Sequence, residues 1–162
     1  MGTWRQNLAL GGLGVVCRDE QRRFMGRRVV QVKALNSVMR AEALAAREAV
    51  QLGLDMRFPF VELEGDLQAV IGMLNGVVTV DHRIRMTIDD IKCLRKGFGE
   101  CRFSFFRREQ NNAAHIVAKF AVSCGAGRTS WDVTPYPGCL DLLLRMVFVL
   151  CDSLSNIILC YL

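Results

Sequence analysis

The sequence predicts an α/β fold with a partly parallel sheet, on three observations. Short runs rich in β-branched and aromatic residues alternate with runs of helical periodicity. The first two β-type runs are adjacent and read as an antiparallel hairpin. The later ones are separated by helices, and strands joined through helices pair in parallel.

The elements follow in order. Residues 11–18 read as a strand ending in a polar turn at 19–23, and residues 24–32 as its antiparallel partner. Asn36 or Ser37 can cap a helix over 38–56, whose run of Ala41, Ala43, Ala45, Ala46 and Ala49 favours helix and allows close approach to a sheet. Pro59 breaks the chain, and 60–64 reads as a short strand. Residues 66–75 read as a short helix closed by Gly76. Residues 83–96 form a further helix with Ile84, Ile88, Ile91 and Leu94 near one face, followed by a strand at 101–106. Asn111 or Asn112 caps a last helix reaching about 124. Residues 131–137 read as a loop. Residues 140–162 are very apolar but interrupted by Asp141, Arg145 and Asp152. The longest uncharged stretch there, 153–162, falls short of the roughly 18 residues of a membrane span, so the tail reads as an appended helix or a poorly folded extension. The expected organisation is one domain over 1–128 with an apolar extension over 129–162.

The composition agrees. Of 162 residues, 51% are hydrophobic and 23% charged, which excludes long-range disorder and supports a substantial core. Seven cysteines without a Cys-x-x-Cys pair or a signal-peptide pattern point to reduced thiols, against a zinc site or disulfide scaffold. An intracellular location, nucleus or cytoplasm, is expected.

The net charge of +5 is uneven: residues 1–60 carry +5, residues 61–100 carry −2 and residues 101–162 carry +2. Arg22, Arg23, Arg27 and Arg28 lead the basic excess. They form either a solvated face or a surface that tracks a phosphate backbone.

Three residues are candidates for chemistry. Glu42 falls on the apolar stripe of the first helix, where a carboxylate is costly unless paired; its plain alternative is a surface Glu at the stripe's edge. Asp66 follows the strand at 60–64 and reads equally as a helix N-cap. Two such carboxylates, one at a strand end and one on a helix crossing the sheet, could share a hard divalent cation. His115 precedes an apolar helix face and reads without context as a surface or half-buried histidine. The Gly11-Gly12-x-Gly14 run precedes a strand and is not a dinucleotide fingerprint.

Four segments taken in order carry a resemblance: Gly12-Leu13-Gly14-Val15-Val16-Cys17-Arg18-Asp19, Ala41-Glu42-Ala43-Leu44-Ala45-Ala46-Arg47-Glu48-Ala49, Val61-Glu62-Leu63-Glu64-Gly65-Asp66, and Arg107-Arg108-Glu109-x-Asn111-x-x-Ala114-His115-x-x-Ala118-Lys119. Together they resemble the plant ribonuclease H-like domain, the type-1 ribonuclease H fold found at the end of retrotransposon reverse transcriptases. The resemblance implies a five-stranded mixed sheet with helices on both faces. It also implies hydrolysis of the RNA strand of an RNA–DNA hybrid by two Mg²⁺ ions held on four acidic residues. By position the second acid is Glu42, the third is Asp66, and His115 stands in the fourth slot. The first acid belongs to a central first strand ahead of the Gly-x-Gly segment, and this chain has no acidic residue before Asp19. That strand is expected to be truncated or replaced. Three readings result: a metal-dependent hybrid ribonuclease, impaired and holding Mg²⁺ weakly or singly; a non-catalytic retroelement-derived remnant that still binds nucleic acid through the basic hairpin; or a truncated product that does not fold stably, since the first strand sits mid-sheet in this fold. A monomer with no membrane association is expected.

Overall fold

The computed structural model describes residues 10–21, 23–33, 35, 37–106, 128–132, 144–152 and 157–158. The hairpin forms as the alternation predicts. Strand β1 (Leu10–Arg18) pairs antiparallel with β2 (Phe24–Lys33), from Leu10↔Lys33 to Arg18↔Phe24, with a bulge between Cys17 and Arg18.

Helix α1 (Val38–Asp55) starts at Ser37, whose Oγ accepts the Arg40 N–H at 3.4 Å. Of the two predicted caps Ser37 does the work, and Asn36 lies outside the described residues. Ala41, Ala45, Ala46 and Ala49 are fully buried, so the alanine face lets α1 lie close across the sheet. The helix ends in a Schellman turn: the Arg57 N–H donates to Leu54 O at 2.9 Å and the Phe58 N–H to Gly53 O at 3.0 Å. Arg57 occupies the left-handed position at φ 58°, where glycine is usual.

Strand β3 (Phe60–Gly65) pairs in parallel with β4 (Glu100–Phe105), from Phe60↔Glu100 to Gly65↔Phe105. Between them run α2 (Gln68–Leu74), ended by Gly76 at φ 75° as the sequence predicts, and α3 (Arg85–Leu94). Ile84, Ile88 and Ile91 are buried, and Leu94 is packed against the core. The core is continuous from Leu13, Val15 and Cys17 through Leu52 to Val61, Leu63 and α3.

The C-terminal third departs from expectation. The predicted helix over 111–124 lies outside the described residues. Residues Arg128–Asp132 form strand β5, antiparallel to β2 from Gly26↔Asp132 to Val30↔Arg128; Trp131 and Asp132 are therefore strand, not loop. The apolar tail contains no appended helix in its described part. Leu144–Asp152 is strand β6, and Ile157–Ile158 a short β7 paired with it. The physical reason is context: a short apolar run suits a strand hydrogen-bonded on both sides as well as a buried helix. Among the described residues the sheet has seven strands where five were expected, in the order β4-β3-β6-β1-β2-β5, with β7 pairing off β6. No helix among the described residues is long and apolar enough to cross a membrane.

One buried cation ties the hairpin to α1. Arg28 is 4% exposed and reaches Asp55 Oδ2 at 2.5 Å and Glu48 Oε2 at 3.8 Å. Arg28→Ala would leave Glu48 buried beside a cavity, and because Asp55 is half exposed the expected loss is the lower end of the buried-pair range, about 3 kcal/mol by denaturant unfolding. Arg57→Gly should do the reverse and add about 0.5–1 kcal/mol, since glycine removes the Cβ strain of the left-handed cap.

Candidate functional site

Glu42 sits in the second turn of α1 on the face that carries Ala45, Ala46 and Ala49, and it is fully buried. The surface alternative is thereby removed: this carboxylate is inside the protein. Glu64 on β3 is also buried, at 1% exposure. Sequence reasoning assigned Glu64 no role. Its signal was available, because alternation puts Glu62 and Glu64 on the face of β3 opposite Val61 and Leu63, in a strand paired on both sides. On that same face the Ser104 hydroxyl of β4 donates to Glu62 Oε1 at 2.6 Å.

Asp66 is half-buried and lies one residue past the end of β3. The N-cap position of α2 is Leu67, one residue beyond Asp66. His115 lies outside the described residues.

The middle strand sets what stands beside Asp66. β6 is parallel to β3, with Val61↔Leu144 through Glu64↔Val147. The ladder ends at Glu64↔Val147; extending its register two residues, past the end of β3, sets Asp66 against Val149. Val149 is opposite Gly14 on β1. Glu42, Glu64 and Asp66 offer the hard oxygen donors that Mg²⁺ prefers. Among the described residues, however, no group of three or more His, Cys, Asp or Glu side chains is placed to hold a metal ion. A two-ion arrangement does not fit them.

The basic residues divide. Arg28 is the buried cation that joins β2 to α1 and is no phosphate contact; β2 turns it inward, on the same side as Val30 and Val32, which pack on the core. Arg27 takes the opposite face and is half exposed. Arg23 is exposed but engaged: its Nε lies 2.6 Å from Asp19 Oδ2. Arg22 lies outside the described residues. A second basic site, missed from sequence because its parts are far apart in the chain, is a groove of about 440 Å³ between the N-terminal ends of α1 and α3. It is lined by Ser37, Met39, Arg40, Arg83, Met86 and Thr87, among others. Arg83 is aligned by Asp81, whose Oδ2 is 2.6 Å from Nη2, and the same contact holds the Asp81 carboxyl well below the usual carboxylate range.

Asp19 organises the hairpin turn. Its Oδ1 accepts the N–H groups of Gln21 at 3.0 Å and Arg23 at 2.8 Å. Burial pushes its carboxyl up. The Arg23 backbone and guanidinium bonds, the guanidinium's charge and the Gln21 N–H outweigh that, so the net position is below the ordinary value. A carboxylate lowered on folding stabilises fully above its unfolded value near about 3.9 and loses that contribution as pH falls through the folded value. The melting-temperature gap between the wild type and Asp19→Ala should therefore be widest near neutrality and close on acidification; a gap unchanged down to the acid limb would show the turn does not depend on the ionised form.

The sequence profile of the reverse transcriptase-like family matches residues 1–121. No curated protein sequence matches the chain. Among solved structures, the fold is similar to RNase H1 from the halophilic archaeon Halobacterium salinarum NRC-1, with a TM-score of 0.64 and 22% identity over 73% of this chain and 89% of that one. It is also similar to the N-terminal RNase H domain of rv2228c from Mycobacterium tuberculosis, crystallised as a fusion with maltose-binding protein, with a TM-score of 0.50 and 14% identity over 67% of this chain and 90% of that one. With three quarters of its length matched and a mixed sheet shared with both structures, the chain belongs to the reverse transcriptase-like family and has a ribonuclease H-like fold.

Proposed function

We propose that this is a nucleic-acid-binding ribonuclease H-like domain of the plant retroelement kind, directed at RNA–DNA hybrids, whose hydrolytic activity is impaired. The observation that carries the reading is that Glu42, buried on α1, and Asp66, just past the end of β3, are both retained on their expected elements of a ribonuclease H-like fold. Half of the acidic set holds two divalent ions poorly, so one weakly bound Mg²⁺ is the most this centre retains; His115 adds a nitrogen, a poor Mg²⁺ ligand. Support for binding is electrostatic. The excess of positive charge in the first 60 residues, the outward Arg27 and Arg23, and the Arg40–Arg83 groove all offer guanidinium groups to a phosphate backbone.

The test uses the purified chain, a labelled RNA–DNA hybrid, and Mg²⁺ or Mn²⁺. Binding should weaken steeply with salt, and Arg23→Ala with Arg27→Ala should flatten the log–log slope by about 0.9 for each phosphate that is no longer neutralised. Hybrid cleavage should be absent or a trace, greater with Mn²⁺. Robust cleavage by the wild type that Asp66→Asn abolishes would overturn the impairment; a salt slope untouched by both Arg substitutions would reduce the hairpin to a solvated face.

A further inference from the structure

The centre of the sheet is closed by β6, the last long strand among the described residues. β6 runs antiparallel to β1 from Gly11↔Asp152 to Arg18↔Arg145, and parallel to β3 from Val61↔Leu144 to Glu64↔Val147. In the order β4-β3-β6-β1-β2-β5, the pair β4-β3 and the trio β1-β2-β5 are joined through β6. On the edge of β6 that faces β3, the ladder ends at Val147 and pairing resumes with β7 at Leu150↔Ile158. The chain leaves the sheet at Asp66 in that interval, and the β3–β6 register extended by two residues sets Asp66 against Val149.

Geometry then decides which residue of the middle strand could share an ion with Asp66. Neighbouring strands lie about 4.8 Å apart and each residue advances about 3.3 Å. The next same-face positions along the strand are about 8 Å away, and the position nearest to Asp66 is the one abreast of it. That residue is Val149. Asp152, the acidic end of β6, is opposite Gly11, three residues on, or about 10 Å along the strand.

We propose that β6 is a replacement strand, which completes the sheet from the C-terminal side and in doing so puts Val149 where a metal-bridging carboxylate would have to stand. The sheet is whole while the site is not, and a single position separates them. This deepens the reading of an impaired centre and rests on it, yet its tests use no nucleic acid.

The full-length chain is tested first by hydrogen exchange. Amides of 144–152 should be protected as strongly as those of β1 and β3, and those of the edge strand β5 less. Fast exchange across 144–152 beside slow β1 and β3 would overturn the replacement. Full-length Val149→Asp, Val149→Asn and Asp152→Asn are then titrated with Mn²⁺ alone, following free Mn²⁺ by electron paramagnetic resonance and the melting temperature in parallel. Val149→Asn reports the cost of a polar group in the strand. Val149→Asp should bind Mn²⁺ roughly tenfold or more tightly than the wild type and Val149→Asn, because ligand charge sets affinity, and should recover melting temperature when the ion is added. Asp152→Asn should match the wild type. Equal Mn²⁺ affinity of Val149→Asp and Val149→Asn overturns the assignment of the position. Loss of wild-type Mn²⁺ binding in Asp152→Asn overturns it too, by making Asp152 the bridging acid. Should Val149→Asp not fold, the exchange pattern and Asp152→Asn still decide. A chain that meets these expectations but fails to bind a hybrid leaves the strand assignment standing and removes only the nucleic-acid reading.

Discussion

The double pairing of β6 is the constraint on which the rest of the fold depends. A strand at a sheet's centre satisfies its N–H and C=O groups on both sides and supplies partners to two neighbours at once. Here those neighbours belong to different parts of the chain. β1 comes from the N-terminal hairpin, and β3 from the unit that carries α2, α3 and β4. Without a strand between them each would present a bare edge, and α1 would lie across a gap in place of a continuous floor. β6 runs parallel to one neighbour and antiparallel to the other, so the mixed character of the sheet follows from this strand alone.

Charge is distributed around that frame by burial more than by sequence clustering. The four arginines of the hairpin look alike as a run of basic residues, yet alternation along β2 sends Arg27 and Arg28 to opposite faces. Arg28 becomes a structural cation between β2 and α1, fixed by Asp55 and Glu48, while Arg23 is partly spent on holding the turn through Asp19. Conversely, Arg40 and Arg83, unremarkable in the linear sequence, meet in one groove because α1 and α3 begin side by side.

What the sequence revealed, and what it hid, follows the same division between local and non-local causes. The hairpin, α1 with its Ser37 cap, β3, the Gly76 stop and the Ile84, Ile88, Ile91 stripe of α3 are all written in neighbouring residues, and each forms within a residue or two of its predicted bounds. Glu42 was legible as an acid on an apolar face but not as a buried one, because burial depends on the sheet beneath. β6 was the costliest misreading. Its run of Val147, Phe148, Val149 and Leu150 has the β-branched and aromatic content of a strand, but a short apolar run bounded by charges is ambiguous until its partners are known. Those partners lie more than a hundred residues away for β1, where no local pattern reaches.

A ribonuclease H-like sheet and a metal site place different demands on a central strand. Sheet formation asks a strand paired on both sides for main-chain hydrogen bonds and apolar side chains, which many sequences supply. A metal site asks for one carboxylate at one level of the ladder, and a slip of three residues displaces it by about 10 Å. The first demand tolerates substitution; the second does not. A C-terminal segment chosen for its apolar character can therefore restore the sheet at once, with the fold still recognisable at 22% identity to an archaeal RNase H1. It restores the acid only if an Asp falls at that level of the ladder. In β6 the run Val147, Phe148, Val149 and Leu150 comes before the acid, Asp152, which is opposite Gly11; on the proposal above, that order is what parts the architecture from the ligand set.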